Sequence, residues 1–297
     1  MTAPIPTTPT LILNPCPGAN VDLGLQDRVA LIAGGSAGLG FAIAHELVRE
    51  GAHVAICGRN ADRLAAAERN LRALGKGRVL SARVDVRDDD AIRAWVDGVA
   101  AELGRLDIVV TNNGGPPSGP PLRFAIDAYR DATQTSLFPA IQLALAALPH
   151  LRARGWGRLL MIASETVVRT VPDYTLSGVA RAGLVRFAQG LVAELGASGV
   201  TVNVLAPAYL RTGPVERLAA QLAPRYAGDH EASVRAQASH IPLGRIGDPA
   251  EFAALAAFLA SDRAGFITGT VQLVDGGACA AGGLPDHLAA VDPTAVT

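Results

Sequence analysis

The sequence carries almost no net charge and few cysteines. Its formal net charge is −1, with 26 basic and 27 acidic side chains, so no basic surface for nucleic acid is predicted. The three cysteines, Cys16, Cys57 and Cys279, lie far apart and lack the spacing of metal ligands. Reduced thiols are usual in the cytoplasm, so we expect a cytoplasmic protein without a metal site.

Long apolar runs and a leader-like start are also missing. No apolar run reaches the length of a membrane span, which predicts no membrane partner. The opening residues, MTAPIPTTPT, carry no basic flank before a short apolar stretch, which argues against a secretory signal. Residues 1–24 are predicted to be a flexible extension, and residues 279–297 a loose tail.

What the sequence does contain is an alternation of apolar and amphipathic segments. Hydrophobic residues make up 49% and charged residues 18%, enough for a well-buried core. Near-continuous apolar runs predict strands buried on both faces at Arg28–Ala33, His53–Cys57, Val79–Val84, Leu106–Thr111, Gly157–Ala163, Val200–Leu205 and Thr270–Val274. Helical periodicity marks Leu39–Glu50, Ala61–Leu74, Asp88–Leu103, Ile126–His150, Val179–Leu195 and Pro249–Leu259. The alternation predicts an α/β fold, a single doubly wound (Rossmann) domain over residues 25–278 with a seven-stranded parallel sheet and helices on both faces.

Two long connections interrupt the alternation, at residues 112–125 and 208–247. Both follow the carboxyl ends of predicted strands, where ligands bind in this architecture. In the second connection, Gly213–His240 predicts a helical lid that closes an apolar pocket with Arg217, Arg225 and Arg235. A solvated helical hairpin fits the same pattern.

A glycine-rich turn joins the first predicted strand to the first helix. Its residues are Gly34, Gly35, Ser36, Ala37, Gly38, Leu39 and Gly40. Glycines let the backbone turn tightly and let a phosphate approach the amide groups at the helix amino terminus, where the dipole favours negative charge. A structural glycine turn is the alternative for the motif alone, but its place after the first buried strand favours a dinucleotide site.

These motifs together resemble the short-chain dehydrogenase/reductase family. The resemblance rests on five matches in order over about residues 26–278: Gly34-x-x-x-Gly38-x-Gly40, Asp85-Val86, Asn112-Asn113-Gly114-Gly115, Pro207-Ala208-Tyr209-Leu210-Arg211-Thr212 and Val274-Asp275-Gly276-Gly277. The run NNGGPP is similar to a divergent branch of acyl-carrier-protein ketoreductase-like proteins. The resemblance implies a dinucleotide cofactor, a small-molecule substrate and a homodimer or homotetramer. Assembly would use the helices containing Ser136 and Arg181 and the last strand.

The end of the second strand predicts which dinucleotide is bound. In this fold an acidic residue there binds the adenosine ribose and repels a 2′-phosphate. The sequence has Gly58 at this position, followed by Arg59, whose guanidinium can pair with a phosphate. NADP(H) is therefore preferred over NAD(H), although a solvated loop arginine fits as well. By resemblance, further cofactor contacts are expected from Gly34, Ser36, Gly38, Leu39, Gly40, Asp85, Val86, Asn113, Gly114, Arg181, Pro207 and Thr212.

The family's catalytic Ser, Tyr, Lys and Asn set is altered here. In one register Tyr174 keeps the tyrosine, but Gly178 takes the lysine position. In the other, Ser177 replaces the tyrosine and Arg181 replaces the lysine. The second register is favoured, because the chain then runs without a gap from Arg181 to Asn203.

The favoured register also keeps a serine at the expected place. Ser164 lies 13 residues before Ser177, the usual spacing, and Ser136 occupies the family's asparagine position. A serine hydroxyl is a weaker acid than a phenol, whose pKa is about 10. Another group must therefore supply the proton in a carbonyl reduction.

Three side chains are candidates for that acid. Tyr174 is our first choice, because it would share a helix face with Ser177 if the helix already includes it. Tyr209 follows Pro207 in the loop expected over the nicotinamide, and Glu165 directly follows Ser164. For each of them a structural role, as a packed aromatic or a solvated carboxylate, is the alternative.

We therefore expect an NADP(H)-dependent oxidoreductase acting on a carbonyl or alcohol of a mostly apolar substrate. Ser164 would orient the oxygen, and Tyr174 or water would supply the proton. Because the catalytic set is altered, two alternatives stay open. One is a non-redox enzyme (a dehydratase, isomerase or cyclase) on the same fold. The other is a cofactor-binding pseudoenzyme.

Overall fold

The computed structural model describes residues 21–283. Its strands are β1 Val29–Ile32, β2 His53–Gly58, β3 Val79–Arg83, β4 Ile108–Thr111, β5 Gly157–Ile162, β6 Val200–Pro207 and β7 Val271–Val274. Its helices are α1 Gly38–Arg49, α2 Ala61–Arg72, α3 Asp89–Leu103, α4 Ile126–Ser136, α5 Phe138–Ala153, α6 Thr175–Leu195, α7 Gly213–Leu222, α8 His230–Ala236, α9 Pro249–Leu259 and α10 Ala278–Ala281.

The strands form one parallel sheet in the order β3-β2-β1-β4-β5-β6-β7. In register, Leu31 of β1 lies beside Ala55 of β2 on one side and Val109 of β4 on the other. The strand order reverses between β1 and β4, which opens a crevice at the carboxyl ends of these strands. The predicted seven-stranded, doubly wound parallel sheet is confirmed.

Alternating side chains of each strand enter two separate cores. On one face, Leu31 and Val109 pack against α3, α5 and α6 through residues such as Leu143 and Leu184. On the other, a second apolar cluster joins the sheet to α1, α2 and α9; its members include Ile32, Ile56, Leu47, Leu71 and Phe252. Burial on both faces explains the continuous apolar runs of the strands.

Two helix boundaries differ from the sequence expectation. The predicted helix Ile126–His150 is two helices, because the chain leaves ideal helical geometry at Leu137 (φ −103°, ψ −62°). Pro139 has no amide hydrogen to continue the ladder of α4 and is tolerated in the first turn of α5. Helix α6 begins at Thr175 rather than Val179, and Tyr174 precedes it as the N-cap.

The predicted outer boundaries stay predictions, since residues 1–20 and 284–297 lie outside the described residues. Cys16 therefore has no structural description. Among the described residues, ordered structure continues before residue 25 and after residue 278, the predicted bounds of the domain. Arg263 Nε donates to Asp22 O at 2.7 Å, and α10 follows β7 directly.

Candidate active site

The glycine turn after β1 presents bare backbone to the crevice. Gly34 and Gly38 have positive φ angles of +61° and +56°, which glycine adopts without strain. A methyl group on Gly40 would lie 2.4 Å from Gly34 O, and one on Gly34 would lie 2.8 Å from Asn112 Nδ2. Asn112 ties the turn to β4 by donating to Ala33 O and Gly34 O at 3.3 Å. Only glycine fits these positions.

The amino terminus of α1 differs from those of its neighbours on the sheet. Asn60 and Asp88 cap α2 and α3 by accepting backbone N–H groups. The N-cap of α1 is Ala37, and no side chain of the described residues caps this helix. Ser36 and Leu39 flank it, both half-buried. Free N–H groups with the positive end of the dipole make this end suited to a phosphate.

The end of β2 holds no carboxylate. A methyl group on Gly58 would lie 2.9 Å from Ser36 Oγ, so the glycine lets the two turns approach. Arg59 is exposed beside it. Nearby, Asp85 Oδ2 pairs with Arg87 Nη2 at 2.5 Å, and this hydrogen bond lowers the pKa of Asp85 to about 2. Asp85 is therefore ionised, and its charge acts on Arg59.

The loop after β6 reaches back to the glycine turn. A methyl group on Gly38 would lie 3.7 Å from Thr212 Cγ2. Thr212 is the N-cap of α7, and its hydroxyl donates to Leu210 O at 3.2 Å. Pro207 ends β6. The predicted cofactor residues of β1 and β6 thus lie at one crevice.

Asn113 joins β4 to the end of α4. Its Nδ2 donates to Ser136 O at 3.1 Å, and the fully buried Ser136 hydroxyl donates to Gly114 O at 3.4 Å. Asn113 Oδ1 is buried and has no partner among residues 21–283. Val86 packs against the same core and lines a small cavity with Asn113. An acceptor is therefore left open beside the cofactor crevice.

Ser177 and Arg181 lie four residues apart on α6, and both are buried. Arg181 Nη1 donates to Ile162 O, the last residue of β5, at 2.7 Å. Its Nε is buried and finds no partner in the described part of the chain. Burial lowers the pKa of Arg181 to about 10, so the guanidinium stays protonated near neutral pH.

No lysine can fill the position of Arg181, because the sequence has one lysine, Lys76. Lys76 lies between α2 and β3, and its Nζ donates to the carbonyl of Arg49, at the end of α1, at 2.7 Å. Both places are at the amino edge of the sheet, opposite the crevice. The positive charge on α6 nearest in sequence to Ser177 therefore comes from Arg181.

Ser164 follows β5 and begins a short turn of 3-10 helix, Glu165–Val167. Its hydroxyl accepts the Thr166 amide at 3.4 Å. Tyr174 precedes α6 and is 42% exposed. The condition under which Tyr174 and Ser177 would share a face of one helix is therefore not met, because the backbone of Tyr174 is not helical (φ −112°, ψ 23°).

The three candidate acids lie within electrostatic reach of one another. Partial burial and the negative charges of Glu165 and Asp173 raise the pKa of Tyr174. Burial and Glu165 also raise the pKa of Tyr209. Burial raises the pKa of Glu165 itself, although Arg169 opposes the shift. Neither the sequence motifs nor the spacing indicated that these groups share one cluster.

Arg169 is the residue of this cluster that the sequence reasoning missed. Its Nε donates to Glu165 Oε2 at 2.8 Å, and its Nη2 donates to the hydroxyl of Tyr209 at 3.1 Å. Tyr209 itself has a positive φ of +52°, an uncommon conformation outside glycine. The spacing of four residues between Glu165 and Arg169 is a local sequence signal for their ion pair. No local signal indicates the contact between Arg169 and Tyr209.

The segment predicted as a lid is helical, with α7 and α8 packed through Val215, Ala219 and Val234. The expected cationic lining is not present, because Arg217, Arg225 and Arg235 are all exposed. Solvation of the long charged side chains explains this. For these arginines the alternative, a solvated hairpin, fits.

Residues 21–283 contain neither a cluster of metal-ligating side chains nor a membrane-spanning helix. No group of His, Cys, Asp and Glu side chains there could hold a metal ion. No helix there is long and apolar enough to cross a membrane. Cys57 and Cys279 are free thiols.

Comparisons with known proteins match most of the described chain. The family model described as enoyl-(acyl carrier protein) reductase matches residues 33–279. The 3-oxoacyl-[acyl-carrier-protein] reductase FabG of Haemophilus influenzae is 33% identical over 253 residues, 85% of this chain and 98% of that protein. The corresponding FabG of Pseudomonas aeruginosa is 34% identical over 258 residues, 86% of this chain and 98% of the relative.

Solved structures are similar over the same span. L-sorbose reductase from Gluconobacter frateurii, complexed with NADPH and L-sorbose, superposes with a TM-score of 0.83 at 32% identity, covering 87% of this chain and 99% of that chain. A short-chain type dehydrogenase/reductase from Mycobacterium ulcerans gives a TM-score of 0.81 at 33% identity, over 92% of this chain and 96% of that one. The chain belongs to the short-chain dehydrogenase/reductase family of oxidoreductases.

Proposed function

We propose that the protein is an NADP(H)-dependent oxidoreductase that interconverts a carbonyl and an alcohol on a mostly apolar small molecule. The observation that carries the proposal is the bare glycine turn beside the carboxylate-free end of β2, where Gly58 and Arg59 lie. The FabG relatives are named for reduction of a 3-oxoacyl group, and a similar structure holds NADPH with a sugar. The FabG name supports reduction of a carbonyl on an acyl chain, and the NADPH complex supports the cofactor.

The residues at the crevice fit such a dinucleotide. The glycine turn and the uncapped α1 would hold the pyrophosphate, and Arg59 the 2′-phosphate. Arg181 Nε is buried without an acceptor in the described chain, and a ribose hydroxyl would supply one. When bound, the dinucleotide donates or accepts hydride at its nicotinamide ring.

The chain itself must orient the substrate oxygen and move a proton. Ser164 is at the carboxyl end of β5 with a hydroxyl able to donate to a carbonyl oxygen. The Arg181 cation is bonded to Ile162 O, two residues before Ser164, and would stabilise negative charge developing on the substrate oxygen. Ser177 is buried next to this cation and, as a poor acid, would serve as a second hydrogen-bond donor. Ser136 would order Gly114 behind the site, where the family carries asparagine.

Tyr174, or water, supplies the proton in this proposal. Its phenol is partly exposed at the mouth of the site, and its raised pKa keeps it protonated. Glu165 and Tyr209 are already hydrogen-bonded by Arg169, which leaves them less free to act on a substrate. Replacing Tyr174 by phenylalanine tests this role: unchanged turnover would assign the proton to water.

Cofactor choice is tested by fluorescence titration with NADPH and NADH. Arg59→Ala should weaken NADPH binding about tenfold and leave NADH binding unchanged, since it removes one charged phosphate contact. Arg63→Ala is the matched control, because Arg63 is also an exposed arginine and lies four residues away on α2. A variant that weakened both dinucleotides equally would contradict the assignment of Arg59.

Turnover is tested by loss of absorbance at the NADPH band against a panel of carbonyl compounds. Reduction of at least one apolar carbonyl is expected. Tight NADPH binding without turnover of any carbonyl would favour the non-redox enzyme or the pseudoenzyme.

The proposal includes a homodimer or homotetramer. Large apolar side chains are exposed on the helices around Ser136 and Arg181, namely Ile126, Phe138, Leu145 and Val179. Leu273 of β7 and Phe266 before it are exposed as well. Such surfaces favour association. Light scattering coupled to gel filtration measures the assembly, and a monomer at micromolar concentration would contradict it.

A further inference from the structure

Arg169 connects three separate segments at the carboxyl edge of the sheet. Its Nε donates to Glu165 Oε2 at 2.8 Å, in the turn that starts at Ser164. Its Nη2 donates to the Tyr209 hydroxyl at 3.1 Å, in the loop after β6. Its Nη1 donates to Ala278 O at 3.0 Å and Gly283 O at 2.7 Å. All three nitrogens of one guanidinium are thus engaged, and the side chain is only 13% exposed.

The third segment, Asp275–Gly283, is held from its other side by the region predicted as a lid. Ala278 is fully buried in a cluster with Ala238 and Ile241. A methyl group on Gly276 would lie 2.6 Å from Ile241 Cγ2, so this backbone packs directly on the residue that follows the lid. The carboxy-terminal segment is therefore enclosed between Arg169 and the lid.

These contacts place Arg169 between the reacting groups and the lid. Glu165 directly follows Ser164, and Tyr209 lies between Pro207 and Thr212, at the nicotinamide end of the proposed cofactor site. We infer that Arg169 is a positioning residue. It fixes Asp275–Gly283 as a wall of the substrate site and fixes Ser164 relative to the lid, so that it determines which apolar substrates fit. This inference rests on the proposed function.

Only arginine can make this set of contacts. Its planar guanidinium directs donors to a carboxylate, a hydroxyl and two carbonyls at once, whereas lysine offers one compact ammonium. A lysine at 169 would keep the pairing with Glu165 and lose the carbonyls of the carboxy-terminal segment. Replacing Arg169 by methionine removes both the charge and the contacts, whereas replacing it by lysine keeps the charge and removes the contacts with the carboxy-terminal segment. Comparing the two variants therefore separates the two effects.

The kinetic test compares Arg169→Met, Arg169→Lys and the control Arg72→Met. Arg72 also pairs with a glutamate four residues earlier, Glu68, and donates to Val79 O at 3.1 Å, but lies far from the crevice. With the best carbonyl substrate, Arg169→Met should raise KM about tenfold with kcat little changed, as expected when substrate binding is weakened equally in the ground state and the transition state. The NADPH Kd should not change.

Arg169→Lys should give an intermediate KM, and Arg72→Met the wild-type value. Discrimination between a short and a long homologue of the substrate should fall in Arg169→Met alone. If KM and discrimination stay at wild-type values while only thermal stability falls, Arg169 is merely structural and the inference is wrong.

A second measurement does not depend on turnover. Hydrogen–deuterium exchange in Arg169→Met should become faster in peptides covering 164–170, 207–212 and 275–283 together, and Arg72→Met should leave all three unchanged. If exchange in these three peptides is the same in Arg169→Met as in the wild type, Arg169 does not hold the three segments together and the inference is wrong. If the wild-type protein reduces no carbonyl, the proposed function is wrong. The exchange measurement still tests whether Arg169 holds the three segments together. If Arg169→Met does not fold, Tyr209→Phe removes one acceptor of Arg169 and should accelerate the same three segments.

Discussion

The two edges of the sheet treat buried charge differently. At the amino edge, the fully buried Asp107 accepts hydrogen bonds from Arg105 on both oxygens, each at 2.7 Å, and from the Val29 amide at 2.8 Å. Arg158 beside it donates to Ser261 O at 3.1 Å and stacks over Trp156 at 4.1 Å. Each of these buried charges is hydrogen-bonded within the chain.

The carboxyl edge is left incomplete. Thr111 Oγ1, Asn113 Oδ1 and Arg181 Nε are buried there, and none has a partner within residues 21–283. An unsatisfied buried polar group costs about 1–3 kcal/mol, more when it is charged. Around Asp107 and Arg158 the buried charges are thus satisfied by the chain itself, whereas beside the crevice a buried guanidinium nitrogen and two buried oxygens are left open for a ligand.

The largest expected effect is at the amino edge. Asp107→Ala removes the partner of Arg105 and of the Val29 amide, so we expect the free energy of unfolding to fall by about 3–5 kcal/mol, as for a broken buried ion pair. Urea denaturation measures this. Asp90→Ala is the control, because Asp90 is 91% exposed in its pair with Arg93. A loss no larger than that of the control would show that Asp107 is not a stabilising centre.

A smaller effect on stability, but a loss of binding, is expected at the carboxyl edge. Arg181→Met replaces a poorly satisfied buried charge by an apolar chain, which is often neutral for stability. The NADPH Kd should rise at least about tenfold, since a charge-assisted hydrogen bond is lost. Arg186→Met on the exposed face of α6 is the control. If the NADPH affinity is unchanged and stability falls strongly, Arg181 has a structural role like that of Asp107 and Arg158, and does not bind the dinucleotide.

The smallest expected effect concerns pH. The pKa of Tyr174 is raised above its ordinary value of about 10, so the phenol stays protonated at higher pH and remains a donor. The rate of carbonyl reduction should therefore not decline between about pH 7 and 9 through loss of this proton. A decline in that range that disappears in Tyr174→Phe would mean that a cation lowers the pKa, contrary to the burial and nearby carboxylates seen here.

Much of the fold followed from the sequence, because strands buried on both faces need continuous apolar runs. The bounds of β1 to β7 lie within about two residues of the predicted runs. The break at Leu137 was missed, since apolar periodicity continues across it although Pro139 interrupts the hydrogen bonds. When the apolar face of one helix continues into the next, the local sequence pattern does not reveal where the first helix ends.

The site was predictable only in part. Residues that follow strand ends, such as Ser164 and Thr212, lie at the expected edge because parallel strands all end there. The contacts of Arg169 with Ala278 and Gly283 were not predictable, since they join segments more than a hundred residues apart that meet only in the folded chain. The roles of Ser177 and Arg181 stay predictions that the experiments above test.

The position of Lys76 has a practical consequence. It is the one lysine side chain in the sequence, and it is exposed at the edge opposite the crevice. Apart from the terminal amine, reagents that couple to primary amines have this single target. Attachment to a surface or a dye through Lys76 would leave the proposed dinucleotide entrance facing the solvent.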